Sequence, residues 1–209
     1  PVVSANPPEK IKLDTVGPVF KGTEVKIAKD GEILVRGENI MNGYWNDPEA
    51  TSSTIINGWV HTGDIGEFDE DNYLKITDRK KDIIVNAGGD NISPSRIEEK
   101  LNIEPEIAQS MLYGDFKNYL VAIIVPDHDQ TLDWAKENNK SNNIKDIIND
   151  KEFIKMIGEI VEKVNSKLST VEHIRKFILI EQEFTIENNM MTPTMKVKRL
   201  QVKKKFGEQ

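Results

Sequence analysis

A chain of 209 residues with a 37% hydrophobic share can bury a core as one large domain or two small ones, but is too polar for a membrane protein. Its formal charge of -7 excludes a general nucleic-acid binder, which needs a cationic excess to follow a phosphate backbone. The absence of cysteine excludes disulfides, thiolate zinc sites and cysteine nucleophiles; with no bilayer-length apolar run and no signal peptide, the expected location is cytoplasmic.

The first twenty residues carry Pro7-Pro8, show neither a helical nor a strand period, and read as the middle of something longer. From Glu24 two alternating runs, Glu24 to Ala28 and Glu32 to Arg36, flank Asp30-Gly31 and predict a β-hairpin. A second hairpin is expected where Ile65-Gly66-Glu67-Phe68 leads through Asp69 to Asn72 into Tyr73-Leu74-Lys75-Ile76, with Asn72 in a left-handed turn position. The β-rich part should end near Thr77. Ile83-Ile84-Val85 and a glycine loop follow, then a helix opened by Ser93 as cap and Pro94 in the first turn, burying Ile97 and Leu101.

Ile107 to Tyr113 and Tyr119 to Val125 read as paired, buried strands around Gly114 to Asn118. Beyond Asp129 the chain turns helical, with Ile154, Ile157, Ile160, Val161, Val164 and Leu168 at three-to-four spacing. The Asn- and Lys-rich stretch from Glu137 to Asn149 is expected to be exposed, and Phe177 to Ile180 to form a last strand. The fold class is therefore α+β, with a β-rich unit over residues 1–77 and a small mixed α/β domain over 78–209. Lys203 to Lys205 read as a solvated basic tail able to attract phosphate-rich small molecules or an anionic membrane surface.

Four blocks carry candidate chemistry: Thr62-Gly63-Asp64, Asp78-Arg79-Lys80-Lys81, Gly88-Gly89 and Thr192-Pro193-Thr194-Met195-Lys196. An ionised Asp64 beside a turn can accept two hydrogen bonds from a ribose diol. Arg79 has a planar fork that can reach both a ribose oxygen and a phosphate, with Asp78 as the partner that orients it. Because the charged run sits where β-rich sequence gives way to mixed sequence, it is also a candidate hinge. Gly88 and Gly89 let backbone approach an extended ligand, or simply form a turn. Lys196, on a loop stiffened by Pro193, can neutralise charge building up on a carboxylate and a phosphate, worth a few kcal/mol in a dry site. The 3 histidines, His61, His128 and His173, have no metal spacing, so no metal site is expected.

In order and spacing, these blocks together with Gly31 to Gly37, Gly43-Tyr44-Trp45, Gly58-Trp59 and Ile97-Glu98 resemble the C-terminal part of the adenylate-forming enzymes, the superfamily of acyl-CoA synthetases, luciferases and peptide-synthetase adenylation domains. The resemblance covers nearly the whole chain. It implies a distorted-barrel subdomain followed by a lid domain that turns about Lys81. It also implies that Asp64 and Arg79 bind ATP or AMP, that Lys196 drives adenylate formation, and that Gly88 and Gly89 line the tunnel through which coenzyme A arrives. Many members have glycine before the catalytic lysine; this chain has Met195, a variant similar to the long-chain fatty-acid CoA ligase branch.

The implied partners are fatty acid, ATP and CoA, with possible peripheral membrane contact. Nothing in the chain resembles the family's phosphate loop, acyl pocket or magnesium-binding glutamate, so Mg²⁺ is expected through an N-terminal part not contained here, and the chain alone is expected to be inactive. Two other readings stay open: an adenylating ligase for another carboxylic acid, and a stand-alone nucleotide- or CoA-binding module.

Overall fold

The structure, a computed structural model, describes residues 1–207. These fall into two compact units, one of residues Pro1–Ile83 and one from Ile84 onward.

In the first unit, β1 (Thr23–Ile27) and β2 (Glu32–Gly37) form the expected antiparallel hairpin. Gly31, at φ 85°, supplies the left-handed position the turn requires, and its N–H reaches the Ala28 carbonyl at 3.0 Å. A short helix, α1 (Pro48–Thr54), and β3 (Ile55–Ile56) precede the long strand β4 (Trp59–Phe68), which takes β2 on one edge. β3 and β5 (Leu74–Arg79) share the other edge, at opposite ends of β4. Asn72 sits at φ 60° in the β4–β5 turn, as its residue type predicts.

Three features of this unit differ from the sequence expectation. The strand expected to end near Thr77 runs on through Arg79, because Ile65 pairs with Asp78 and Asp64 with Arg79. α1 buries no residue and so leaves no amphipathic period; it is defined by its cap, where the Asp47 carboxylate accepts the Ala50 N–H at 2.8 Å ahead of Pro48. The aperiodic first twenty residues nonetheless add to β5: the Val16 N–H donates to Leu74 O at 2.8 Å and the Leu74 N–H to Gly17 O at 3.0 Å. Ile33, Val35 and Leu74 form the small core.

The second unit opens with the two-residue strands β6 (Ile84–Val85) and β7 (Asn91–Ile92), paired antiparallel, and α2 (Pro94–Asn102). Ser93 occupies the N-cap position without a side-chain capping bond, and Ile97 and Leu101 are fully buried as their spacing requires. β8 (Ile107–Tyr113) and β9 (Leu120–Pro126) pair antiparallel. From β9 the chain crosses through α3 (His128–Glu137), α4 (Ile144–Ile147) and α5 (Lys151–Asn165) to β10 (Ile174–Leu179), which lies parallel to β9. A parallel pair needs such a crossover, and a strand covered on both faces needs apolar side chains throughout; β9 reads Leu-Val-Ala-Ile-Ile-Val-Pro.

The alternation along β9 divides the core. Leu120, Ala122 and Ile124 join Ile97, Leu101, Phe153, Ile157, Val161 and Val164 on the face covered by helices α2 and α5. Ile123 and Val125 face the other way, into a cluster with Met111, Phe184, Met190, Met191, Val202 and Phe206. Burying each such side chain contributes about 1.5–3 kcal/mol.

Two expectations are corrected here. The stretch from Glu137 to Asn149 is not wholly exposed: it contains α4, whose Ile147 is 1% accessible and inserts into the helical face of the core. Lys203 to Lys205 are exposed but do not form a loose tail, since they lie on α6 (Arg199–Phe206), which Val202 and Phe206 anchor to the other face.

Candidate functional site

Asp64 and Arg79 meet as cross-strand partners of β4 and β5, and Arg79 Nε stands 2.8 Å from Asp64 Oδ1. Opposite charges within this pair hold each other, and Asp64 Oδ1 is a buried atom with no further hydrogen bond among the described residues. The Asp64 side chain as a whole is 21% accessible, and a carboxylate in one ion pair keeps further acceptor capacity for a diol. Asp64 does not cap its own turn with that carboxylate. Its N–H is taken by Thr62 Oγ1 at 3.1 Å, while Thr62 donates to Ile33 O at 2.7 Å. Asp78, expected to orient the Arg79 side chain, accepts the Arg79 backbone N–H at 2.7 Å. Thr62, Gly63, Arg79, Lys80 and Lys81 line a cleft of about 450 Å³ beside this pair.

Behind the cleft lies a charged group that the sequence presents only as part of a strand. Glu32, 3% accessible, accepts hydrogen bonds from the Gly63 N–H at 3.0 Å and Lys80 Nζ at 2.9 Å, and faces His61 Nδ1 at 2.8 Å. Burial pushes its carboxyl up, but Lys80, His61 and the Gly63 amide together outweigh burial and hold it below the ordinary carboxylate range. The stabilisation from the Glu32 carboxylate is therefore fully present above the ordinary value of 4.5 and is lost as pH falls through the lowered one. Lys80 also reaches Asp30 Oδ2 at 2.8 Å, and Asp30 followed by Glu32 raises the Lys80 ammonium above its usual value.

The second unit carries Lys196 on a three-residue hairpin loop. The Met195 N–H donates to Thr192 O at 2.9 Å, the Thr192 N–H to Lys196 O at 2.8 Å, and the Lys196 N–H to Thr192 Oγ1 at 3.1 Å. Pro193 occupies the turn position that favours its fixed φ, and Met195 follows at φ 61°. Glycine takes that left-handed position without strain. Methionine there costs about 1–2 kcal/mol of backbone strain. Buried Met190 and Met191 seat one end of the loop, with Val197 packed beside them at the other. Three residues on, Arg199 grips Glu98 of α2 with both nitrogens at 2.6 Å, and Glu98 also accepts the Leu112 N–H of β8 at 2.6 Å. Lys196 itself is exposed.

Gly88 and Gly89 occupy the β6–β7 turn, closed by Asn86, whose Oδ1 accepts the Asp90 N–H at 2.9 Å while its amide donates to Asp90 Oδ2 at 2.9 Å. Gly89 sits at φ 86° with nothing within 4 Å of where a Cβ would stand, so its α-carbon faces open space. Ile84 and Ile92 seat this hairpin in the helix-covered core, whereas the Lys196 loop is seated on the opposite face of the same sheet. Of the sequence candidates, then, Asp64 and Arg79 come together and Lys81 lines the cleft beside them. Gly88, Gly89 and Lys196 belong to the second unit and part to its two faces.

Glu32, Lys80, Glu98 and Arg199 were not singled out from the sequence as interacting groups. One signal was present, since a glutamate directly precedes the apolar run Ile33-Leu34-Val35 at the start of a buried strand.

A family model described as the AMP-binding enzyme C-terminal domain matches residues 81–209. A long-chain-fatty-acid–CoA ligase of Mycobacterium tuberculosis is 41% identical over 199 residues, covering 94% of this chain and 33% of the relative. Long-chain-fatty-acid–CoA ligase 1 of Cavia porcellus is 34% identical over 184 residues, covering 86% of this chain and 26% of the relative. The chain thus spans about a third or less of the length of these curated relatives. Among solved structures, the didomain of a carboxylic acid reductase from Segniliparus rugosus in complex with AMP superposes with a TM-score of 0.72 at 23% identity, over 92% of this chain and 27% of that one. O-succinylbenzoate coenzyme A synthetase from Bacillus subtilis, in complex with AMP, gives 0.64 at 26% identity, over 92% and 36%.

Proposed function

Because the chain belongs to the family of AMP-binding enzyme C-terminal domains, we propose that it works as the C-terminal portion of an ATP-dependent, AMP-forming long-chain fatty-acid CoA ligase. One observation carries this reading: the Lys196 loop and the glycine hairpin sit on opposite faces of one rigid sheet, in a unit separate from the one that bears Asp64 and Arg79. Two loops on opposite faces cannot serve one reacting centre at the same time, so a domain built this way suits two steps taken in turn.

In the first step the fatty-acid carboxylate attacks the α-phosphorus of ATP and pyrophosphate leaves. Asp64 accepts the ribose hydroxyls, Arg79 contacts ribose and phosphate, and the Lys196 ammonium neutralises charge shared between carboxylate and phosphate. The small domain then turns about Lys81. In the second step the thiol of CoA enters past Gly88 and Gly89, attacks the acyl carbon and releases AMP. Mg²⁺ is assigned to the part of the ligase outside this chain. Exposed Lys203, Lys204 and Lys205 on α6 offer a cationic face to an anionic bilayer from which fatty acid is collected, each contributing about 1 kcal/mol. No helix among the described residues is long and apolar enough to cross a membrane.

The acid is tested with the ligase that carries this segment, by pyrophosphate exchange over long-chain, short-chain, aromatic and dicarboxylic acids. The highest kcat/KM is expected for a long-chain fatty acid; an aromatic or dicarboxylic acid in first place would overturn the branch.

A further inference from the structure

A hinge needs a fixed end, and we propose that Asp30 and Glu32 provide it by pinning Lys80, so that movement of the small domain starts at Lys81 while the same Glu32 holds the turn that carries Asp64. The inference rests on the reading of Lys81 as the hinge and names the positioning residues that make it one. Lys80 is the residue before the hinge and is held three times: Nζ by Asp30 Oδ2 at 2.8 Å, Nζ by Glu32 Oε2 at 2.9 Å, and its backbone N–H by Gly63 O at 2.8 Å.

Glu32 is buried on β2, an inner strand of its sheet, a costly place for a charge unless it is paired. Its partners are His61, Gly63 and Lys80, which flank Asp64 on one side and Lys81 on the other. A single acid therefore links the nucleotide-facing turn to the start of the hinge. Beyond Lys80 the chain curls back on Arg79, whose carbonyl accepts the N–H groups of Asp82 at 2.9 Å and Ile83 at 3.1 Å.

Unpinning Lys80 lets the pivot spread over more residues and lowers the fraction of molecules in either working orientation. The two orientations differ in what else selects them. With Lys196 turned toward ATP, attraction to the phosphates favours the adenylation pose. When Lys196 is turned away that attraction is lost, so the thioester pose depends more on the hinge.

In the ligase carrying this segment, Lys80→Met is expected to slow thioester formation from preformed acyl-adenylate about fivefold or more beyond whatever loss it causes in pyrophosphate exchange. Lys80→Arg should restore the thioester rate, and Glu32→Gln should reproduce the Lys80→Met loss and also raise KM for ATP. Equal loss of both half-reactions in Lys80→Met, or no loss in either, overturns the pinning proposal. Lys81→Pro serves as the reference. If it separates the half-reactions and Lys80→Met does not, the hinge stands and the pin falls; if Lys81→Pro does not separate them, the hinge reading itself falls.

Discussion

Lys196→Ala is expected to lower adenylate formation by about 10²–10³-fold, the usual loss when one preorganised stabilising group is removed from a transfer site. Thioester formation from preformed acyl-adenylate should survive nearly intact. The split follows from where Lys196 sits. Its loop is closed by its own hydrogen bonds among Thr192, Met195 and Lys196, so truncating the exposed side chain leaves the loop standing. The glycine hairpin, seated on the other face of the sheet, is untouched. Pyrophosphate exchange reads the first half-reaction and acyl-CoA formation from synthetic adenylate reads the second; equal loss in both would remove Lys196 from the chemistry.

Asp64→Asn is expected to raise KM for ATP about 10–100-fold with kcat changed far less, the signature of binding shared by ground and transition states. The substitution keeps the shape of the side chain but halves its acceptor oxygens and removes the charge that a ribose diol would meet. Structural damage should be small, because Arg79, the partner left behind, is half exposed, with 51% of its side chain accessible. Initial-rate kinetics with varied ATP at saturating acid check this. An unchanged KM would mean that Asp64 serves the fold and not a nucleotide.

Much of this architecture was legible in the sequence because local chemistry fixed it. Asp30-Gly31, Asn72, Ser93-Pro94 and the spacing of Ile157, Val161 and Val164 each require one backbone conformation, and the structure has it. What escaped has a common cause, namely dependence on partners distant in the chain. Val16 and Gly17 form strand-like bonds only because Leu74 is there to receive them. The last helix has almost no amphipathic signal; Arg199 finds Glu98 about a hundred residues away, and Phe206 finds a cluster built by β8, β9 and the Met190-Met191 loop.

The candidate site divides in the same way. Asp64, Arg79 and Lys196 were visible as residue types beside glycine or proline turns. The Glu32 network was not, because its three partners lie 29, 31 and 48 positions away. The strain at Met195 was not legible from the residue types, because its physical reason is the backbone φ of 61°.

The account stands or falls on how ATP is cleaved. With ATP labelled at the α-phosphate, a long-chain fatty acid and CoA, the ligase carrying this segment should release the label as AMP, with one pyrophosphate per acyl-CoA formed. Label recovered as ADP would mean that no acyl-adenylate forms, and that neither Lys196 nor the two-faced lid has the work assigned to it.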